Sequence, residues 1–340
     1  MAGLLPTRSA ARTRSIVAGA AIGAAAIVLA VLLVAGVFNG SSDVAGGLQS
    51  KFTRIVRTVS PKVVEIRTSV GLGSGIVYDT HGDVVTNAHV VGNASTVTVR
   101  LPDGTTHPAT VVGASTGNDL AVVRLTGVAP HPATFGDSSK LQGGDMVLAI
   151  GNPLGLASSV SQGIVSFTGR NVSEGNGVTL KSVIQTSAAI NPGNSGGALV
   201  DIQGNVIGIP TLAATDPELG GSAPGIGFAL PSNLVKDIAG QIVAHGKVVD
   251  SHRAYLGIAA GQATDGVYVA SVTAGGPASN AGIQVGDVIV AVAGKPTPTT
   301  ALLSAVLAEI KPGRSVSVAV RSQNGTKSTL QLTLGTYPGS

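Results

Sequence analysis

The chain has 340 residues, of which 44% are hydrophobic and 11% are charged. This composition supports about two domains of ~150 residues and excludes a disordered tail, while zero cysteines exclude disulfides and thiolate metal sites. The net charge of +4 does not indicate nucleic-acid binding, because three arginines in residues 1–15 supply most of it.

Residues 16–38 form an uncharged apolar run that is long enough to cross a bilayer as a helix. The arginines before it indicate that residues 1–15 lie in the cytoplasm and that all residues after the run lie outside it. A cleaved secretory signal is the alternative, but its apolar core is usually only about 7–15 residues long. We therefore expect one uncleaved transmembrane helix at 16–38, followed by a linker over 39–58.

Short apolar or alternating segments dominate residues 59–247, and Gly, Asn, Asp and Pro separate them. Segments such as "TVTVRL", "DLAVVRL" and "DMVLAI" are typical of strands, so this stretch predicts an all-β barrel or sandwich. One helix is expected at about 232–245, capped by Ser232 and ended by Gly246. Its predicted apolar stripe consists of Leu234, Ile238 and Ile242.

A second unit is predicted over 250–337. It contains short strands such as "GVYVASV" and "VSVAV", one helix at 299–310, and an Asn324-Gly325 hairpin turn. This pattern indicates a small α+β domain. The apolar stripe of its helix consists of Leu303, Val306, Leu307 and Ile310.

The segment "AAINPGNSGGAL" at 188–199 places Ser195 in a run of Pro, Asn and Gly. One interpretation is a surface turn in a glycine-rich protein. The other is that backbone amides crowd around the serine, which only residues without bulky side chains permit.

A nucleophilic serine needs a base, normally histidine, and a third group that orients that base. Among the six histidines only His89 lies in a strongly apolar segment, "DVVTNAHVV", although a core histidine is the commoner case. Asp119 directly precedes the apolar strand "LAVV", where an unpaired buried carboxylate costs several kcal/mol. An imidazole N–H could satisfy it, but a loop acid or a cap is the alternative.

Taken together, His89, Asp119 and "GNSGG" resemble the trypsin-like serine proteases, and more closely the HtrA (high-temperature-requirement) family. The resemblance runs through "GSGIV", "TNAHVV", "NDLAVVRL", "GNPLGL", "SQGIVSFTGR", "IQTSAAINPGNSGGALVD" and "GIGFALPSNLV". It covers about 60–337 and implies a mainly β fold. The expected fold is a trypsin-like double six-stranded β-barrel at 59–247 and a PDZ domain at 250–337.

The resemblance also implies roles for individual residues. His89 would be the general base and acid, Asp119 would orient it, and Ser195 would attack the peptide carbonyl. The oxyanion hole would consist of the backbone amides of Gly193 and Ser195, helped by Asn194. This chemistry needs no metal and no cofactor.

The primary specificity pocket is expected around Ala189, which stands six residues before the nucleophile. Ile226, Gly227 and Phe228 of "GIGFAL" would form its wall. Such a pocket is apolar and modest in size, and it lacks the carboxylate that would select arginine or lysine. Cleavage after Val, Ala, Leu or Ile is therefore predicted.

In the second domain, "YLGI" matches the carboxylate-binding loop of PDZ domains, formed here by Tyr255, Leu256, Gly257 and Ile258. Its amides would bind the terminal carboxylate of a peptide that adds as a strand beside 258–260, against the 299–310 helix. The alternative for the apolar stripe of that helix is a plain core role.

Three further expectations concern a rejected motif, assembly and partners. "GLGSG" at 71–75 mimics a phosphate loop but lacks the Gly-Lys-Ser/Thr ending, which favours a barrel turn. The segment before it is very short, whereas relatives that build large cages carry a long loop there, so a cage is not expected. The resemblance implies a homotrimer. The expected substrates are unfolded or C-terminal-peptide-bearing envelope proteins, and the alternative function is a peptide-binding chaperone or scaffold.

Overall fold

The computed structural model of the chain describes residues 46–69, 71–152, 159–173, 178–191, 193–215 and 222–338. The chain divides into two compact units, Met1–Arg54 and Ile55–Ser340. The transmembrane helix predicted at 16–38 lies outside the described residues. Among the residues that are described, no helix has the length and apolar content needed to cross a bilayer.

Helix α1 runs from 46 to 59, where the sequence predicted only a linker. Ile55 and Val59, four residues apart, are both buried. Residues at that spacing lie on one face of a helix, so the burial of this face stabilises the last turns. The second half of the predicted linker is therefore helical.

The first barrel contains six antiparallel strands: β1 (Val63–Arg67), β2 (Leu72–Val77), β3 (Asp83–Thr86), β4 (Thr96–Arg100), β5 (Thr106–Ser115) and β6 (Leu120–Leu125). They close in the order β1-β2-β3-β6-β5-β4. Strand alternation sends one side of each strand inward, as in β4, where the buried Val97 and Val99 alternate with the exposed Thr96 and Thr98. Aliphatic side chains fill the barrel interior.

The second barrel also has six strands: β7 (Met146–Gly151), β8 (Ser159–Ser173), β9 (Thr179–Thr186), β10 (Ala198–Asp201), β11 (Val206–Thr215) and β12 (Ser222–Pro231). Their order is β10-β11-β12-β9-β8-β7. The two closed barrels confirm the mainly β, double-barrel prediction.

Helix α3 (Ser232–His245) follows the second barrel and ends, as predicted, at Gly246, whose φ is 71°. Glycine adopts this left-handed conformation without steric cost, which makes it a common helix end. The predicted cap was wrong, however, because Ser232 is already helical. Its buried hydroxyl donates to the carbonyl oxygen of Gly136 at 3.0 Å.

The apolar face of α3 also differs in part from the prediction. Ile238 and Ile242 are fully buried, as expected. The third buried aliphatic residue is Val235, whereas Leu234 is only half-buried. The helix therefore lies rotated by about one residue relative to the predicted stripe.

The C-terminal domain contains β13 (Ala254–Tyr255), β14 (Ile258–Ala263), β15 (Gly266–Val272), α4 (Pro277–Asn280), β16 (Val288–Val292), β17 (Lys295–Pro296), α5 (Thr300–Ala308), β18 (Ser315–Arg321), β19 (Lys327–Thr333) and β20 (Gly335–Thr336). Its main sheet has the order β14-β15-β16-β18-β19. Strand β14 therefore lies at an edge. The hairpin turn predicted at Asn324-Gly325 is present between β18 and β19, with Gly325 at φ 86°.

Helix α5 packs its apolar stripe onto this sheet. Leu303 and Val306 are buried, and Leu307 and Ile310 pack against the same cluster. Leu303 and Val306 thus have the core role, while Leu303 and Leu307 also line the groove described below. On its other side α5 lies against β8 and β9 of the second barrel.

Candidate active site

The pairing of β3 with β6 brings His89 and Asp119 to one end of the first barrel. His89 lies on the short helix α2 (Ala88–Val91), directly after β3. Asp119 directly precedes β6, and the two strands pair in register with Thr86 opposite Ala121. The two side chains can therefore meet although 30 residues separate them.

The imidazole of His89 makes a close contact with the Asp119 carboxylate. His89 Nδ1 lies 3.0 Å from Oδ1 and 2.9 Å from Oδ2, and the His89 backbone N–H donates to Oδ1 at 3.0 Å. An ionised carboxylate only accepts hydrogen bonds, so Nδ1 must carry a proton. In the neutral ring, Nε2 is then left as the acceptor.

Burial differs sharply between the two partners. The Asp119 side chain is 3% exposed, whereas the His89 side chain is 46% exposed. A buried charge needs several donors, and Asp119 has them. The imidazole is thus partly exposed, whereas the carboxylate that holds it is buried.

The backbone of Asp119 is held in an unusual conformation. Its φ of 48° and ψ of 43° lie in the left-handed region, which aspartate tolerates better than most residues. The buried side chain of Asn87 donates to the Asp119 carbonyl oxygen at 3.0 Å. This bond ties the turn before β6 to the segment that carries His89.

Thr211 of β11 connects the two barrels at this site. Its hydroxyl donates to Asp119 Oδ2, and its backbone carbonyl accepts a hydrogen bond from Ser195 Oγ at 3.3 Å. Sequence reasoning missed this residue. The only signal was a lone hydroxyl in the apolar strand "VIGIPTLAA", which does not identify its partner.

Ser195 lies in the loop between β9 and β10 (the nucleophile loop, residues 187–197). Gly193 and Gly196 have φ values of 103° and 80°, a region that residues with a Cβ rarely adopt. A Cβ on Gly196 would also clash with the carbonyl oxygen of Ser74. The glycine run is therefore needed for close backbone packing and is not a generic surface turn.

Within the part of the chain that the structure describes, the backbone N–H groups of Gly193 and Ser195 have no hydrogen-bond acceptor. Asn194 differs, and the prediction that it helps as a donor is corrected. Its N–H donates to Asn191 O at 3.1 Å, and its side-chain amide donates to Ala189 O at 3.1 Å. Its side-chain oxygen accepts from Asn191 N–H, so Asn194 holds the loop together instead.

The residues predicted to form the specificity pocket lie around the first half of this loop. Gly227 lies next to the side chain of Ile190, and Ile226 is 38% exposed. Ala189 is exposed, whereas Phe228 is buried and pairs with Gln185 of β9. The two cavities described below are lined by other residues, so the pocket stays a prediction.

An apolar groove lies on the C-terminal domain. It is a cavity of about 310 Å³ between the edge strand β14 and helix α5. Leu256, Gly257 and Ile258 of "YLGI" line it together with Tyr255, and Leu303 and Leu307 line its helix side. The second barrel contributes Lys181.

Burial lowers the pKa of Lys181, and so do two neighbouring cations, Arg253 and Lys311. Its ammonium group donates to the carbonyl oxygen of His252, at 3.3 Å, in the segment before β13. Two basic side chains, Lys181 and Arg253, therefore line this groove. The second cavity, of about 380 Å³, lies between Gly136 and Ile207 on the second barrel, away from the nucleophile loop.

Comparison with known proteins assigns both folded parts. Residues 73–209 match the trypsin-like peptidase domain, and residues 254–334 match the PDZ domain. The chain is 38% identical over 302 residues to serine endoprotease DegS of Escherichia coli (strain K12), covering 85% of this chain and 82% of DegS. It is 40% identical over 306 residues to serine protease PepD of Mycobacterium tuberculosis (strain ATCC 25618 / H37Rv), covering 83% and 65%.

Solved structures agree with this assignment. The HtrA-type protease AlgW with a decapeptide matches with a TM-score of 0.57 and 32% identity, covering 84% of this chain and 99% of AlgW. The serine endoprotease from Yersinia pestis matches with a TM-score of 0.56 and 33% identity, covering 84% and 98%. The chain therefore belongs to the HtrA family and is a trypsin-like serine endopeptidase with a C-terminal PDZ domain.

Proposed function

We propose that His89, Asp119 and Ser195 form the catalytic triad of this endopeptidase. The observation that carries the proposal is the buried Asp119 carboxylate, whose donors are His89 Nδ1, the His89 backbone N–H and Thr211. With Nδ1 donating to this carboxylate, Nε2 of the neutral His89 ring has the role of the base. Thr211 links the same carboxylate to the loop of Ser195.

In the first step, Ser195 Oγ attacks the carbonyl carbon of the peptide bond and its proton moves to His89 Nε2. The new C–O bond gives a tetrahedral intermediate whose oxygen carries the negative charge. The backbone amides of Gly193 and Ser195 have no acceptor among the described residues and are suited to bind that oxygen. Losing one such donor typically costs about 100- to 1000-fold in rate.

In the second step, the C–N bond breaks and His89 gives its proton to the leaving amine. The acyl group stays on Ser195 Oγ as an ester. Water then attacks this ester, gives a proton to His89, and releases the acid product as the proton returns to Ser195. Asp119 stabilises the positively charged imidazole in both steps.

For the residue before the scissile bond, we propose a preference for Val, Ala, Leu or Ile. The apolar residues around Ala189 and Ile226 support it, and no carboxylate lies among the four predicted pocket residues. Burying a charged side chain without a counter-charge is costly. Sequencing the products of casein digestion tests this preference, and a majority of cuts after Arg or Lys would rule it out.

For the PDZ domain, we propose capture of peptides with a free apolar C-terminal residue. The open edge of β14, the apolar wall of α5 and the basic side chains of Lys181 and Arg253 support this. The solved AlgW relative carries a decapeptide. Full-length protein should bind such a peptide far more tightly than its C-terminal amide, and equal affinities would contradict this part of the proposal.

For the cellular context, we propose that the helix at 16–38 anchors a homotrimer, with the protease and PDZ domains outside the cytoplasm. The uncharged run after three arginines supports the topology. The substrates would be misfolded or signal-bearing envelope proteins. A C-terminal reporter and sedimentation of detergent-solubilised protein test topology and assembly separately.

The decisive test of the triad is casein cleavage by purified full-length protein and three single variants. Ser195→Ala, His89→Ala and Asp119→Asn should each lose almost all activity, and their losses should not add in the double variants. Ser166→Ala, a substitution of an exposed serine on β8, serves as the matched control. Undiminished proteolysis by Ser195→Ala would overturn the proposal and favour a binding protein with an idle site.

A further inference from the structure

Ser74 belongs to the "GLGSG" motif, whose role the sequence did not explain. Residues 72–75 of the motif belong to strand β2 of the first barrel, so the predicted barrel turn is corrected. The Ser74 side chain is completely buried. It nevertheless faces the nucleophile loop, which comes from the second barrel.

Three hydrogen bonds join Ser74 to the second barrel. Its hydroxyl donates to the carbonyl oxygen of Gly193 at 2.6 Å and accepts from the N–H of Asn152 at 2.8 Å. Its backbone N–H donates to the carbonyl oxygen of Ser195 at 2.9 Å. The carbonyl oxygen of Ser74 accepts from the hydroxyl of Thr86 at 2.7 Å, which holds Ser74 from its own barrel.

These bonds fix two peptide planes that adjoin the amides proposed for the oxyanion hole. The plane between Gly193 and Asn194 is held by Ser74 at its oxygen and by Asn191 at its nitrogen. The plane after Ser195 is held by Ser74 at its oxygen and by Pro210 at its nitrogen. The N–H of Ser195 lies in the peptide between these two planes, so its direction has little freedom. The N–H of Gly193 lies in the peptide directly before the first plane and is restrained from that side.

The hydroxyl contact matters most at Gly193, because glycine has no side chain that restricts rotation about φ and ψ. If the Gly193 carbonyl lost its hydrogen bond to Ser74, the backbone could rotate at Gly193. The Gly193 N–H could then turn away from the substrate. Electrostatic stabilisation of a transition state depends on donors that are oriented before the reaction starts. A buried hydroxyl on the opposite barrel is a fixed reference point for that orientation.

We infer that Ser74 is a positioning residue for the oxyanion hole, acting through the carbonyl oxygens of Gly193 and Ser195. The inference rests on the proposed function, since it needs Ser195 as the nucleophile. Ser74 touches neither the substrate nor the reacting atoms. Its hydroxyl keeps the amide of Gly193 in the direction that binds the developing oxyanion.

The test compares Ser74→Ala with Ser232→Ala in the full-length protein. Ser232 is the matched control, because it is also completely buried and also donates to a glycine carbonyl, that of Gly136. We expect Ser74→Ala to lower kcat about 10- to 100-fold on a peptide substrate with KM unchanged. The affinity of the variant for a peptide boronate, which forms a tetrahedral adduct, should fall by the same factor. Its affinity for the peptide product of cleavage should stay the same.

Ser232→Ala should lose thermal stability to a similar extent and keep wild-type kcat. Ser74→Cys, which keeps a weaker donor, should lie between wild type and Ser74→Ala, and it replaces the alanine variant if that one does not fold. Wild-type kcat in a folded Ser74→Ala or Ser74→Cys protein would overturn the inference. If Ser195→Ala also stays active, the proposed function has failed, whereas an inactive Ser195→Ala confines the failure to Ser74.

Discussion

Replacing Thr211 by valine removes one hydrogen bond to Asp119 while almost preserving the shape of the side chain. Asp119 is buried, and Thr211 supplies one of its few donors, alongside two from His89. The backbone carbonyl of Thr211, which accepts from Ser195, is unchanged by the substitution. The variant therefore tests the side-chain contact alone.

The expected magnitude follows from the charge on Asp119. A hydrogen bond to a charged group contributes about 1.5–3 kcal/mol. The Asp119 carboxylate stabilises the positive charge that His89 gains in the transition state. The hydrogen bond from Thr211 to Asp119 therefore stabilises the transition state more than the ground state. At 1.36 kcal/mol for each factor of ten, kcat should fall by about 10- to 150-fold. KM should change little, because the Thr211 side chain is buried.

The assay is steady-state cleavage of a chromogenic peptide, with Thr211→Ser as the control that keeps the hydroxyl. Thr211→Ser should retain most of the activity, and both variants should show wild-type circular dichroism. A folded Thr211→Val protein with kcat within twofold of wild type would refute the reasoning. Equal losses in Thr211→Val and Thr211→Ser would assign the effect to packing instead.

Three further substitutions probe other contacts. Gly196→Ala should abolish casein cleavage and lower the melting temperature, because the new Cβ meets the Ser74 carbonyl at a positive φ. Arg124→Met leaves the fully buried Asp83 without its two 2.7 Å hydrogen bonds, so the free energy of unfolding in urea should fall by about 3 kcal/mol. Adding Asp83→Asn to Arg124→Met should restore part of the lost free energy of unfolding. Burial and neighbouring cations lower the pKa of Lys181 in the folded protein. Below this folded-state pKa the charged ammonium destabilises the fold, so the free energy of unfolding rises as the pH increases through it. Lys181→Met should raise the melting temperature at pH 7, and the difference from wild type should shrink towards pH 10.

The sequence was informative wherever chemistry depended on local context. His89 in an apolar segment and Asp119 before an apolar strand predicted a buried carboxylate with an imidazole partner, and that contact is present. The glycines around Ser195 predicted crowded backbone, which the clash at Gly196 explains. In each case the residues adjacent in the sequence were sufficient for the prediction.

The contacts that the sequence did not reveal join distant segments. Thr211 lies 92 residues from Asp119, and Ser74 lies 119 residues from Gly193. No local pattern can specify such a partner, because it depends on how one barrel faces the other. Asn194 shows the converse, since its motif suggested a donor to the substrate while the loop itself uses its amide groups.

Two helix predictions failed for a similar reason. Ser232 has the residue type of an N-cap, but Gly136 on a distant segment offers its hydroxyl a carbonyl partner. At 46–59 the glycine-rich beginning suggested a tether, whereas burial of Ile55 and Val59 favours a helix. Tertiary contacts outweighed local preference in both segments.

The most direct test of the central claim is the site of covalent labelling by a fluorophosphonate probe. Intact-mass analysis of the full-length protein should show one adduct per chain, and peptide mapping should place it on Ser195. The labelling rate should fall sharply in His89→Ala, and no adduct should form in Ser195→Ala. An adduct on a different serine, or casein cleavage that survives complete labelling of Ser195, would contradict the account.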